Sequence, residues 1–150
     1  MKSHRLNFEY GDTWHTLVER PLENYLAVLM RMARIREVSA AESWEAVILA
    51  DDLQVPEDLR TQGIILADHP DVALAQLLEP FETRAERLCL YRDTCRMALA
   101  DGEIEVKERE FLHSVAQGLG IEQDVGRQIF EDVTCQQRLQ ARFLNLLDEG

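Results

Sequence analysis

The stretch FETRAERLCLYRDTCRMALADGEIEVKEREFLHSVAQGLGI, residues 81–121, decides the fold. Phe81, Ala85, Leu88, Tyr91, Cys95 and Ala98 recur at steps of three and four residues. That is the period of one helical face, and it predicts a long helix ending near Ala100. Asp101-Gly102 breaks the pattern. Phe111, Leu112, Val115, Ala116 and Leu119 then mark a second helix, with Gly118 and Gly120 as its stop signal. Two helices joined by a short polar corner, with no strand signal near them, point to an all-α fold.

The flanks read the same way. Leu22, Tyr25, Leu26, Leu29, Met32 and Ala33 share a face, and Pro21 suits a first helical turn because its missing N–H has no partner there. Ser39 and Glu42 have the spacing of a capping box, opening a helix whose Val47-Ile48-Leu49-Ala50 run predicts a central position. Pro56 ends it, since the residue before a proline is pushed out of the helical region. Leu59, Gly63, Ile64, Leu66 and Ala67 predict another helix, and His69-Pro70-Asp71 breaks it. Leu74, Leu77 and Leu78 predict a short one, and Pro80 restarts the chain. Val125, Ile129 and Val133, then Leu139, Phe143, Leu146 and Leu147, complete the set. The expectation is a single-domain bundle of seven or eight helices over residues 21–150. Residues 1–20 stand apart. Leu6, Phe8 and Tyr10 alternate with polar residues ahead of Gly11-Asp12, which fits a hairpin-like arm. An irregular arm with Trp14 and Leu17 packed down fits equally.

Composition narrows the function. The 150 residues carry 16 Lys and Arg against 28 Asp and Glu, a formal charge of −12. Nucleic-acid binding needs clustered cations, so no nucleic-acid partner is expected. Anionic membrane surfaces are disfavoured on the same ground. No apolar run approaches the length of a spanning helix and no apolar signal core follows Met1, so a cytoplasmic protein without membrane insertion is expected. Cys89, Cys95 and Cys135 are too few for a disulfide framework and read as reduced thiols packed within helices.

The two halves of the chain can be superposed. An offset of 66 residues aligns Val38 with Ile104 and Glu42 with Glu108, and sets Leu49, Ala50, Leu53 and Val55 on Val115, Ala116, Leu119 and Ile121. This suggests a pseudo-twofold internal repeat that pairs residues 39–54 with 105–119. In the second copy, Met97-Ala98-Leu99-Ala100-Asp101-Gly102-Glu103-Ile104, with Glu108, Phe111-Leu112, Ala116 and Leu119-Gly120-Ile121, resembles the TerB-like family. That family includes tellurite-resistance TerB proteins and a domain of some J-domain co-chaperones. The specific part of the likeness covers residues 95–121, and the helix order extends it over 20–150. The resemblance implies an all-helical fold with two pseudo-equivalent halves and an acidic surface, and it implies no established enzymatic activity. The chain departs from the family where Arg34-Ile35-Arg36-Glu37 replaces the first Asp-Gly loop, and where Glu105 replaces Ser or Thr.

Chemistry concentrates at one loop. Asp101-Gly102-Glu103-Ile104-Glu105 with Glu108 matches the back half of a calcium-binding EF-hand loop. The front half fails, because Met97 and Leu99 stand where acids belong. A reduced site of Asp101, Glu103 and Glu108, joined by Glu37 or Glu42, would suit Ca2+ or Mg2+ through hard oxygen ligands. Helix capping explains the same string without a metal. Gly102 permits the turn, Asp101 bonds nearby N–H groups, the glutamates favour the positive end of the helix dipole, and Ile104 serves as a hydrophobic staple.

No other motif suggests catalysis. His4, His15, His69 and His113 lack metal spacing, and the serines lack a nucleophile-elbow context. His113 is expected at a face boundary. The expected function is a non-enzymatic interaction or stress-response module that offers an acidic face to a protein partner, with homo-oligomerisation open. The alternative is a divalent-metal-binding or metal-sensing protein.

The capping reading predicts that Asp101→Ala lowers stability by about 1 kcal/mol, the usual cost of a lost cap. Thermal melts should show the same loss with and without millimolar calcium. An ion-induced rise in Tm that the substitution abolishes would mark the metal reading instead.

Overall fold

The computed structural model describes residues 22–35, 55–100 and 103–149, and these contain helices and connecting turns but no strand. The described helices are α1 (Leu22–Ala33), α2 (Glu57–Asp68), α3 (Leu74–Leu78), α4 (Arg84–Ala98), α5 (Val106–Gly118) and α6 (Gln123–Glu149). The all-helical expectation holds over these ranges. The arm at 1–20, the Ser39–Glu42 capping box and the 39–54 half of the repeat lie outside the described residues. The stripes around Val125–Val133 and Leu139–Leu147 belong to one unbroken helix, because Thr134-Cys135-Gln136-Gln137-Arg138 contains no breaker. None of the described helices is long and apolar enough to cross a membrane.

Helix α1 is apolar on more than one face, and it buries all six residues of its expected stripe together with Ala27 and Val28. Its main neighbour is α2. Gly63 makes that approach possible. A Cβ there would stand 3.1 Å from the Glu23 carbonyl oxygen and 3.2 Å from Leu26 Cβ. Gly63 is buried while Ile64, expected on the same inner face, is 41% exposed. Arg31 then locks the far end. Its guanidinium donates to the carbonyls of Leu66, Ala67, His69 and Val72, at 2.6–3.3 Å. These include the last carbonyls of α2, which have no partner within their own helix and carry the negative end of its dipole.

Helix α4 packs against α1, α5 and α6. It starts on a capping box that the hydrophobic pattern does not reveal. Glu86 N–H donates to Thr83 Oγ1 at 3.2 Å, and Thr83 N–H donates to Glu86 Oε1 at 3.0 Å. Beyond Leu88, every residue from Cys89 to Ala98 is buried, including the charged ones. Asp93 is fully buried and Arg92 and Arg96 are 4% exposed. Asp93 Oδ1 accepts from Arg92 at 3.1 Å and from Arg96 at 3.5 Å, and Oδ2 accepts a short hydrogen bond from the Tyr25 hydroxyl of α1. The Tyr25 ring also meets Phe81 edge-on, with centroids 5.9 Å apart. The periodic stripe read from residues 81–98 is therefore only part of the buried surface. The opposite side is buried too, with its charges paired.

Asp93→Ala should lower unfolding stability by about 3–5 kcal/mol in a urea titration, because removing one partner of a buried ionic group leaves the others uncompensated. Gly63→Ala should cost about 1–3 kcal/mol in the same assay, despite the better helix propensity of alanine, because the Glu23 backbone cannot yield.

Candidate functional site

The acidic loop is only partly placed. Asp101, Gly102, Glu37 and Glu42 lie outside the described residues. Glu103 is exposed, whereas Glu108 is fully buried at the start of α5. Glu108 Oε1 accepts the Glu105 backbone N–H at 3.0 Å, as a capping residue does. Ile104 is half-buried against the core cluster. It is not a staple, since the position four residues into α5 is Arg109 rather than an apolar residue. Among the described residues no group of three or more His, Cys, Asp or Glu is placed to hold a metal ion.

A different site forms at the corner between α5 and α6. The α5 helix ends in a Schellman turn. Gly120 adopts φ +67°, its N–H donates to Gln117 O at 3.0 Å, and Ile121 N–H donates to Ala116 O at 3.0 Å. Here glycine is needed, because that left-handed conformation is strained for other residues. The turn sends α6 back beside α5 and leaves a cleft of about 470 Å³ between them. Arg109, Leu112, His113, Ala116 and Gln117 supply one wall from a single face of α5. Ile121, Gly126, Arg127 and Phe130 supply the other, and Tyr91 of α4 reaches the floor.

Polar groups share this cleft with apolar ones. The Arg109 guanidinium lies 6.0 Å from the centre of the Phe130 ring. At the rim, Arg84 grips Glu122 with two parallel bonds, at 3.0 and 2.9 Å. This pairing holds the Glu122 carboxyl below the usual carboxylate range and raises the Arg84 guanidinium. Beneath the cleft, burial is the main cause raising the Tyr91 hydroxyl, which also hydrogen-bonds Cys95. Burial likewise pushes the Cys95 thiol up to about 12, so neither group ionises near neutral pH.

Sequence reasoning did not find this cleft. It placed Tyr91 in the core stripe, where it is buried, and expected His113 at a face boundary, whereas His113 is exposed and lines the cleft. The missing signal was the angle set by Gly120, which brings two amphipathic faces around one hollow. The thiol expectation needs a correction as well. Cys89 and Cys95 are buried, but Cys135 is exposed on the outer part of α6. The chain matches no family model, no curated protein and no solved structure.

Titration of the folded protein with Ellman's reagent at neutral pH should modify only Cys135 rapidly. Cys89 and Cys95 should react only on unfolding, since both are buried away from the reagent and burial also suppresses the Cys95 thiolate. Fast reaction of a second thiol would show that α4 opens readily.

Proposed function

We propose that this chain is a TerB-like helical module, without catalysis of its own, that binds a protein partner through α6. The observation that carries this reading is the apolar face on the outer half of that helix. Leu139, Phe143, Leu144, Leu146 and Leu147 are 52–65% exposed. Four of them, Leu139, Phe143, Leu146 and Leu147, follow the i, i+4, i+7, i+8 spacing of a helix built to lie against another apolar surface. Farther back the helix buries Val133 and half-buries Ile129, and beyond Gln136 and Gln137 its apolar residues are exposed among the described residues. Contiguous apolar surface of this kind is uncommon on a monomer and marks interaction sites.

The fitting partner is an amphipathic helix. Charge does not oppose it. Residues 135–149 hold Arg138 and Arg142 against Asp148 and Glu149, so the acidity of the whole chain is absent from this segment. A stress-response role of the tellurite-resistance kind rests on the resemblance carried by Met97–Ile121. The contact proposed is apolar, unlike the acidic face the composition suggests, so moderate salt should not weaken it.

Replacing Leu139, Phe143 and Leu147 together with Gln should change stability by no more than about 0.5 kcal/mol per site, as surface substitutions do. It should abolish association measured by sedimentation and by co-purification at several salt concentrations. A large fall in Tm would show that the face is already covered in the folded chain. Unchanged association would place the contact elsewhere.

A further inference from the structure

The α5–α6 cleft concentrates positive charge in an acidic protein. Arg109 and Arg127 both line it, and neither forms an ion pair among the described residues. The carboxylate at the rim, Glu122, is already held by Arg84. Lys107, Arg138 and Arg142 also form no ion pair among the described residues, so what sets the cleft apart is the placement of two guanidinium groups at one hollow.

Gly126 gives an independent reason to look here. It lies in α6 with its N–H bonded to Glu122 O at 2.9 Å, and its φ is not positive. A Cβ at this position would stand 3.7 Å from the Tyr91 hydroxyl oxygen and 3.8 Å from Ile121 Cγ2, both ordinary contacts. Neither packing nor backbone geometry requires a glycine, and glycine weakens a helix relative to alanine. What the bare Cα does is keep the cleft open where Gly126 lines it, beside a Tyr91 side chain that is itself core, at 6% exposed. Tyr91 at the base, the Phe130 ring and Ile121 in the walls and two arginines in the lining describe a receptor with both polar and apolar parts. The hollow, about 470 Å³, falls within the range of small-molecule sites.

We propose that this cleft binds a small molecule with a planar apolar body and a single anionic group, a carboxylate or a phosphate. The body lies against Phe130 and Ile121. The anion meets Arg109 and Arg127, which suit planar oxyanions through their fork of donors. Tyr91 marks the inner end of the site. This binding is separate from the outer apolar face of α6, and either can fail without the other.

Calorimetric titration of the full chain tests it with phenyl phosphate, benzoate, inorganic phosphate and phenol as probes. Phenyl phosphate or benzoate should bind one to one, and the tighter of the two identifies the anion. Inorganic phosphate and phenol should each bind at least about tenfold more weakly, because each supplies half of the recognition. Arg109→Gln and Arg127→Gln should each weaken binding about tenfold through loss of a charge-assisted contact. Gly126→Leu should abolish binding with the Tm unchanged or raised, and Gly126→Ala should weaken it in the same direction. No heat from either aromatic anion up to about 10 mM would overturn the proposal. So would full binding in Gly126→Leu or Arg127→Gln, or inorganic phosphate binding as tightly as phenyl phosphate.

Discussion

The carboxylate of Asp93 is the constraint around which the described fold is arranged. It accepts hydrogen bonds from Arg92 and Arg96 of its own helix and from Tyr25 of α1, with no solvent exposure. A charge in that position is tolerated only when its partners are held in good geometry. The requirement fixes the rotation of α4 about its axis and its height against α1. A leucine at the same place would stabilise by burial but would accept many rotations. Ionic pairing instead admits one arrangement, and Tyr25 carries it to the neighbouring helix.

From that fixed helix the other elements take their places. Tyr25 stacks edge-on against Phe81, just ahead of the Thr83 cap of α4. Arg31, two turns along α1, holds the end of α2. On the other side, Tyr91 of α4 forms the base on which α5 and α6 meet, and Gly120 sets the corner between them. The cleft therefore depends on both a rigid floor and a turn that only a glycine accepts readily. Its walls come from helix faces whose inner residues, Leu112 and Val115, are core.

Helix existence was legible because burial here follows the apolar period. All six stripe residues of α1 are buried, as are Leu112, Val115 and Leu119 around α5. The length of α6 was not legible. Its apolar residues fall into two groups, and only the lack of a breaker between Val133 and Leu139 joins them. The character of α4 was hidden for a physical reason. Arg92, Asp93 and Arg96 fall outside the apolar stripe because each alone belongs in water, and they are buried only because they are paired. The acidic loop drew notice through residue types, and Glu108 did prove to be a capping residue. The cleft has no sequence motif. It arises from a backbone angle and from an absent Cβ at Gly126, and neither forms a spacing pattern.

The 27 residues of α6 extend about 40 Å, and those from Arg138 to Asp148 are exposed. The helix therefore has two thermodynamic halves. The first opens only when the core does. The second exposes its side chains among the described residues and holds its shape mainly by local hydrogen bonds, and isolated helices of about 12–15 residues are marginal in water. Amide exchange along α6 should then fall from global protection to near that of a free peptide within a few turns past Val133. An occupant of the outer face would meet an ensemble in which only a fraction is fully wound, and its apparent affinity would be lowered by that fraction. Winding the last turns would then be part of the binding event, and the exposed half of α6 would serve as both contact surface and coupling element.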